Sequence, residues 1–221
     1  MATTRCTWSS SGITRWREAA AARQALTFYR LSQVVGKWRQ TGRGLLVIMP
    51  AMPNRWKPNV TVAAVIERDG RFLLVEEDTA DGLRLNTPAG HLDPAETPEQ
   101  ACVREVLEET AHGFTPTALV GVYMNRFVRT RTGSDITYLR FAFTGDLGQF
   151  HEGRALDHGV IRTVWMTLAE LEASADRHRS PMVLQSVRDY LAGQRFGLNM
   201  FHADPSLFVT PQPTPALAAV A

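Results

Sequence analysis

The hydrophobic pattern changes period along the chain. Val60, Val62, Ala64 and Ile66 alternate with Thr61, Ala63, Val65 and Glu67, the period-two signature of a strand buried on at least one face. Arg68-Asp69-Gly70 predicts a hairpin turn into a second strand over residues 72–77, and residues 78–84 read as a loop. From Thr97 the period becomes 3.6. Val103, Val106, Leu107 and Thr110 fall on one side of a helix that can pack on a sheet, and Glu105, Glu108 and Glu109 share one narrow sector on the other. Thr97 and Gln100 have the spacing of a reciprocal capping box, with Pro98 at the first helical position, where its missing N–H costs nothing. Residues 118–128 and 138–145 read as two longer strands joined by 129–135. A last strand over 160–166 precedes a helix capped by Thr167 with Glu170 three residues on. A final helix over 181–192 has Val183, Val187 and Leu191 on one face. Strands interleaved with helices predict an α/β fold.

The 221 residues suit one domain of ordinary size with flanking segments. Charge sharpens that division. Residues 1–50 carry eight basic side chains against Glu18 alone, a net +7, which leaves −5 for the remainder of a chain whose total is +2. Three readings of this stretch compete: an Arg- and Ser-rich targeting peptide, a basic nucleic-acid arm, or an upstream stretch translated from a mis-set start. The 22 arginines against two lysines fit a GC-rich coding sequence and favour the last. Residues 1–54 are therefore expected to be a disordered or spurious extension, and 55–202 the working domain. Residues 203–221, with Pro205, Pro211, Pro213 and Pro215, are expected to be a disordered tail. An acidic domain argues against nucleic acid as a partner. No apolar run approaches the ~20 residues that span a bilayer. Cys6 and Cys102 make no disulfide framework, which fits a reducing cytoplasm.

The chemistry concentrates in one segment. Gly90 is followed six residues later by Glu96, then by Arg104-Glu105, and the run closes on Glu108-Glu109. A chance match to these fixed positions has odds on the order of 10⁻⁵ at average residue usage. A lone Glu-x-x-Glu-Glu is most often a solvated acidic face; the added glycine, glutamate and arginine at set offsets point elsewhere. Like charges three and four apart repel, and Arg104 can neutralise only part of the excess. A hard divalent cation relieves the rest. Oxygen-only ligands select Mg²⁺ or Mn²⁺ over zinc, and Mg²⁺ completes its shell with waters and substrate phosphates.

The spacing resembles the Nudix box, Gly-x5-Glu-x7-Arg-Glu-U-x-Glu-Glu-x-Gly-U with U aliphatic. It is matched at Gly90, Glu96, Arg104, Glu105, Val106, Glu108 and Glu109. Ala111 and His112 depart from it, and Gly113 is expected to end the helix two residues later. Further likeness to the NudJ phosphatase subfamily lies in Lys57-Pro58-x-Val60-Thr61-Val62-Ala63, Leu74-Val75-Glu76-Glu77, Pro88-Ala89-Gly90-His91-Leu92, Leu139-Arg140-Phe141, and the tail from Arg179-Ser180-Pro181 to Gly193-Gln194-Arg195. The resemblance covers about two thirds of the chain. It implies a Nudix-type α/β/α sandwich with a mixed sheet and the box helix packed on it. It also implies metal ligation by Glu105 and Glu109, with Glu108 assisting and the Gly90 carbonyl joining. Arg104 would orient a glutamate, Glu105 would take a proton from the attacking water, and Glu96 would brace the loop. His151, Glu152, Asp157 and His158 are alternative bases in a distant loop.

Lys57, Arg84, Asn86 and Arg140 are the candidate substrate contacts, while Tyr123 is expected in the core. The implied activity is Mg²⁺-dependent hydrolysis of nucleoside tri- and diphosphates and related organic diphosphates such as hydroxymethylpyrimidine pyrophosphate, with release of phosphate. The small-molecule substrate would be met by a monomer or small homo-oligomer. An ADP-sugar or dinucleotide pyrophosphatase is the alternative enzyme; a non-catalytic phospholigand-binding module is the alternative from another class, disfavoured because every box glutamate is kept.

Overall fold

The computed structural model describes residues 56–129 and 132–209. Within them the alternating segments form two sheets. In the first, β1 (Asn59–Ala64) runs parallel to β7 (Ser134–Phe150), with β5 (Ala89–His91) and β6 (His112–Arg129) antiparallel outside them, giving the order β5-β1-β7-β6. In the second, β3 (Arg71–Thr79) pairs with β2 (Glu67–Arg68), β4 (Gly82–Asn86) and β8 (Val160–Thr167), all antiparallel. The helices are α1 (Pro98–Thr110), α2 (Leu168–Ala173) and α3 (Met182–Leu191). None of them is long and apolar enough to cross a membrane.

Strand β1 explains the layering. Successive side chains point to opposite faces. Val62 and Ala64 join Ala101, Cys102, Val106 and Phe143 in a core beneath α1. Ala63 and Val65 join Phe72, Leu74, Leu171, Val183 and Val187 in a second core beneath α2 and α3. Both faces are buried, so the fold is an α/β/α sandwich around mixed strands. Cys102, on the inner side of α1, has its Sγ 3.6 Å from the Ala63 carbonyl oxygen, and burial pushes its thiol pKa well up.

Both capping boxes form. Thr97 accepts from Gln100 N–H while the Gln100 side chain accepts from Thr97 N–H, and Thr167 and Glu170 do the same for α2. Four expectations change. Residues 78–84 are not a loop but the β3–β4 hairpin, turned at Ala80-Asp81 with Thr79 Oγ donating to the Gly82 carbonyl at 2.7 Å. The polar, glycine-containing signal there belonged to a tight turn. Strands β6 and β7 extend far beyond 118–128 and 138–145, because three register shifts bend the pair without ending it. Helix α1 is not lengthened to Gly113. Ala111 itself takes the left-handed conformation (φ 56°, ψ 21°) and its N–H closes on Leu107 O, with β6 beginning at His112. Alanine pays roughly 1–2 kcal/mol there, a cost glycine avoids. Finally, Leu191 is 52% exposed at the end of α3, where Val183 and Val187 alone of the expected face are buried.

The proposed extension, residues 1–54, lies outside the described residues. So does the proline-rich tail from 210 on; a 3-10 turn spans Pro205–Phe208 before it.

Candidate active site

The buried side of α1 is narrower than its periodicity suggested. Ala101, Cys102, Val106 and Thr110 are buried, and Glu105 and Glu109 are buried beside them, whereas Val103 and Leu107 are half-exposed. Two carboxylates therefore lie at the edge of the core, and Glu108 stands nearer solvent.

Arg104 ties the helix to the loop before it. Its Nε and Nη2 fork onto Glu96 at 3.1 and 2.7 Å, and Nη2 also donates to the His91 carbonyl at 3.0 Å. Its Nη1 donates to Glu105 at 2.7 Å and to Glu108 at 3.2 Å. Glu96 accepts from Asp93 N–H at 2.7 Å as well, and the Arg104 guanidinium holds its carboxyl below the usual range. A bidentate, charge-assisted fork fixes orientation as well as charge. Glu96 thus braces the segment that carries Gly90.

Gly90 has a steric reason to be glycine. A Cβ at this position would sit 2.0 Å from Glu105 Oε1, so the carboxylate passes over β5 only because no side chain is there. Glu109 reaches the same strand and accepts from Ala89 N–H at 2.8 Å. Burial raises the Glu105 carboxyl despite Arg104. Burial, then Glu77, Glu105 and Asp157, push Glu109 up to about 8. Uncompensated negative charge in a partly dry site is the physical cause.

These groups open into a cleft of about 1460 Å³, whose lining includes the carboxylates Glu77, Glu105, Glu109 and Asp157 and the side chains of Arg84, Asn86, Arg140 and Arg179. Arg140 is 6% exposed. Its Nη1 donates to Asn86 Oδ1 at 3.4 Å and its Nε has no partner among the described residues. Burial draws its pKa down to about 10, against the opposing pull of Glu77 and Glu109. Asn86 in turn donates to Glu77 at 3.2 Å, and Arg179 lies 3.5 Å from the other Glu77 oxygen.

The structure therefore brings together Gly90, Glu105, Glu109, Arg84, Asn86 and Arg140. Lys57 is exposed and does not line the cleft. Asp157 and His158 line it; His151 and Glu152 do not. Tyr123 packs against the α2–α3 core and donates to Asp189 of α3 at 2.9 Å. Sequence reasoning passed over Glu77 and Arg179 as site residues. Glu77 faces Arg84 across the unforeseen hairpin. Arg179 is delivered by its N–H bond to the Leu85 carbonyl, a long-range contact with no local signal.

The donor set suits a hard cation by its chemistry, since every candidate ligand is oxygen. Among the described residues no three acidic, histidine or cysteine side chains converge on one point, and Glu105 is engaged by Arg104 at 2.7 Å.

Comparison with known proteins agrees with this geometry. The NUDIX domain family matches residues 56–185. Phosphatase NudJ of Escherichia coli strain K12 is 37% identical over 146 residues, covering 66% of this chain and 91% of that protein. The same figures hold for phosphatase NudJ of Shigella flexneri. A NUDIX hydrolase structure from Nitrosomonas europaea superposes with a TM-score of 0.62 at 47% identity, over 67% of this chain and 98% of that one. MutT NUDIX hydrolase from Burkholderia pseudomallei shares the fold at 20% identity, with a TM-score of 0.50 over 61% of this chain and 98% of that one. With its box assembled on α1 and β5 and its family match spanning most of the described domain, the chain belongs to the Nudix family and is a hydrolase of phosphoanhydride bonds similar to the NudJ phosphatases.

Proposed function

We propose that the chain is a Mg²⁺-dependent phosphohydrolase of nucleoside tri- and diphosphates and related organic diphosphates, releasing phosphate. The observation that carries this reading is one cleft lined by the buried carboxylates Glu105 and Glu109 together with the buried Arg140. The similarity to proteins named phosphatase NudJ supports phosphate as the product. Glu105 and Glu109 hold the cation, with Glu108 and the Gly90 carbonyl completing the protein's share; Mn²⁺ suits the same oxygen donors. A divalent cation held there neutralises phosphate charge and lowers the pKa of a bound water.

The chain's own groups do the rest. Glu105, whose carboxyl is raised by burial, accepts the proton of the attacking water as general base. Arg104 keeps that carboxylate aimed through the bond at 2.7 Å. Arg140 and Arg84 pair with phosphate oxygens, and Asn86 fixes the Arg140 guanidinium. The cleft of about 1460 Å³ has room for phosphorylated metabolites of the cytoplasm, handled by a monomer or small homo-oligomer.

The test is incubation with Mg²⁺ and a panel of nucleotides, nucleotide sugars and pyrimidine diphosphates, with phosphate and pyrophosphate assayed separately. Phosphate from di- and triphosphates is the expected result. AMP from ADP-ribose as the dominant reaction would overturn the substrate class in favour of an ADP-sugar pyrophosphatase.

A further inference from the structure

Two arginines are held near one another in the cleft although like charges repel. Arg140 is buried on β7, and Arg179, half-exposed, lies between the 3-10 turn Ala175–Arg177 and α3. Both line the cleft. After burial and the opposing pull of two carboxylates, the charge of Arg179 further draws the Arg140 pKa down, so the two guanidiniums sense each other. Backbone contacts set this proximity. Arg179 N–H donates to the Leu85 carbonyl at 2.8 Å, and His178 bridges Leu85 as a parallel partner. Asn86, next along β4, accepts from Arg140 Nη1 at 3.4 Å. One short piece of β4 therefore places both cations.

Their positive charge is only partly answered. Glu77 lies 3.5 Å from Arg179 Nε and attracts Arg140 as well, but one carboxylate balances one cation. Glu109 also attracts Arg140 and is one of the proposed cation ligands. Arg140 Nε is buried and has no acceptor among the described residues. A buried donor left without an acceptor is destabilising, and an anionic ligand would supply one. The start of α3 adds to this field. Ser180, Pro181 and Met182 line the same cleft. Pro181, the N-cap residue, makes no side-chain cap, and the first turn carries no acidic residue. Ser180 Oγ accepts from Met182 N–H at 3.3 Å, which leaves the positive end of the helix dipole without a local negative charge.

We propose that Arg179 is a specificity-determining residue which, with Arg140, receives a free terminal phosphate of the substrate. The proposal rests on the reading that the cleft binds organic di- and triphosphates. A terminal phosphate carries roughly −1.5 to −2 charges and three acceptor oxygens. Esterifying its far side removes one of those oxygens and about one charge. Two planar donor forks match the fuller group, because guanidinium pairs with phosphate through parallel hydrogen bonds. The preferred class is therefore molecules that end in an unesterified phosphate, over those closed by a sugar or a second nucleoside. The competing account is that Arg179 only holds Glu77, bracing β3 against the segment before α3.

Calorimetry separates the two without turnover. The parent protein, with Mg²⁺, is titrated with α,β-methylene ADP and with α,β-methylene ADP-ribose. These probes share the adenosine and the bridge, and differ in whether the distal phosphorus is free or carries a sugar. The parent is expected to prefer the free-ended probe by about 10- to 100-fold, the scale of one hydrogen bond to a charged group. Arg179→Gln should lose most of that preference, and Arg179→Lys, which keeps the charge without the fork, should recover part of it. Glu77→Gln should keep it, since the guanidinium remains. Equal losses in Glu77→Gln and Arg179→Gln would assign the effect to the brace and overturn the proposal. So would equal affinity for the two probes in the parent, or an undiminished preference in Arg179→Gln. Failure of the parent to hydrolyse any di- or triphosphate would sink the functional reading instead, while the calorimetric ratio would still decide the role of Arg179.

Discussion

Gly90 and Glu105 show how a single absent atom can place a carboxylate. The carboxylate occupies the volume a Cβ would need, so Gly90→Ala must push Glu105 aside by an ångström or more. Displacements of that size in an aligned site cost about 100-fold in rate, and that loss in kcat is the expected outcome. The melting temperature should change little by comparison, since Gly90 itself has ordinary backbone geometry. A variant with more than half the parent's kcat would remove Glu105 from the chemistry. Glu109→Gln should cost at least as much, because it removes a charge from the buried carboxylate set. At this scale the sequence was informative wherever a residue's position follows from spacing on one helix, as for Arg104, Glu105 and Glu109. It was silent on Glu77 and Arg179, which enter the cleft through a hairpin partner and a contact 94 residues away in the chain, the latter between Arg179 and Leu85. Lys57 shows the opposite case, a cation near a resembling motif that is exposed and outside the cleft lining.

Elements were legible in proportion to how local their determinants are. Both capping boxes follow from side chains three residues apart. Thr97→Ala should lower unfolding stability by about 1 kcal/mol in urea titration, and an unchanged midpoint would make the box ornamental. The lengths of β6 and β7 were not legible, because bulges let strands continue through residues with poor strand patterning such as Pro116 and Gly145. The end of α1 was misjudged because propensity assigns the left-handed position to the nearest glycine, while the immediate start of β6 assigns it to Ala111. Strand β3 also carries a pH-dependent contribution. Glu76 is buried and paired with Arg162 at 2.7 Å and with Arg177, and hydrogen bonding to Arg162 holds its pKa below the ordinary 4.5. A carboxyl whose folded pKa is depressed stabilises above its unfolded pKa and loses that contribution as pH falls through the folded one. The parent should therefore lose stability progressively below about pH 4.5. Glu76→Gln should be less stable at neutral pH and show a flatter acid limb in thermal melts; parallel curves would contradict the assignment.

For the molecule as a whole, the α/β/α layering follows from β1, whose two faces are both apolar, and from amphipathic helices before and after the strands. What composition could not show is that the cleft draws on both sheets and on the segment before α3. The proposed cation binds only the folded chain, so it should add to global stability by mass action. Saturating Mg²⁺ at about 100 times its Kd should contribute about 2.7 kcal/mol, visible as a rise in melting temperature that EDTA reverses and Glu109→Gln abolishes. Equal melting temperatures with and without Mg²⁺ and Mn²⁺ would count against a resident cation.

The thiol of Cys102 gives this assembly a built-in clock. It is 1% exposed, pressed between α1 and the Ala63 carbonyl, on the inner side of the same helix that carries the glutamates. An alkylating reagent can meet it only when that helix lifts from the strands beneath. The rate at which Cys102 is modified, resolved by peptide mass, therefore counts the openings of α1. Added Mg²⁺ should slow the count and Thr97→Ala should quicken it.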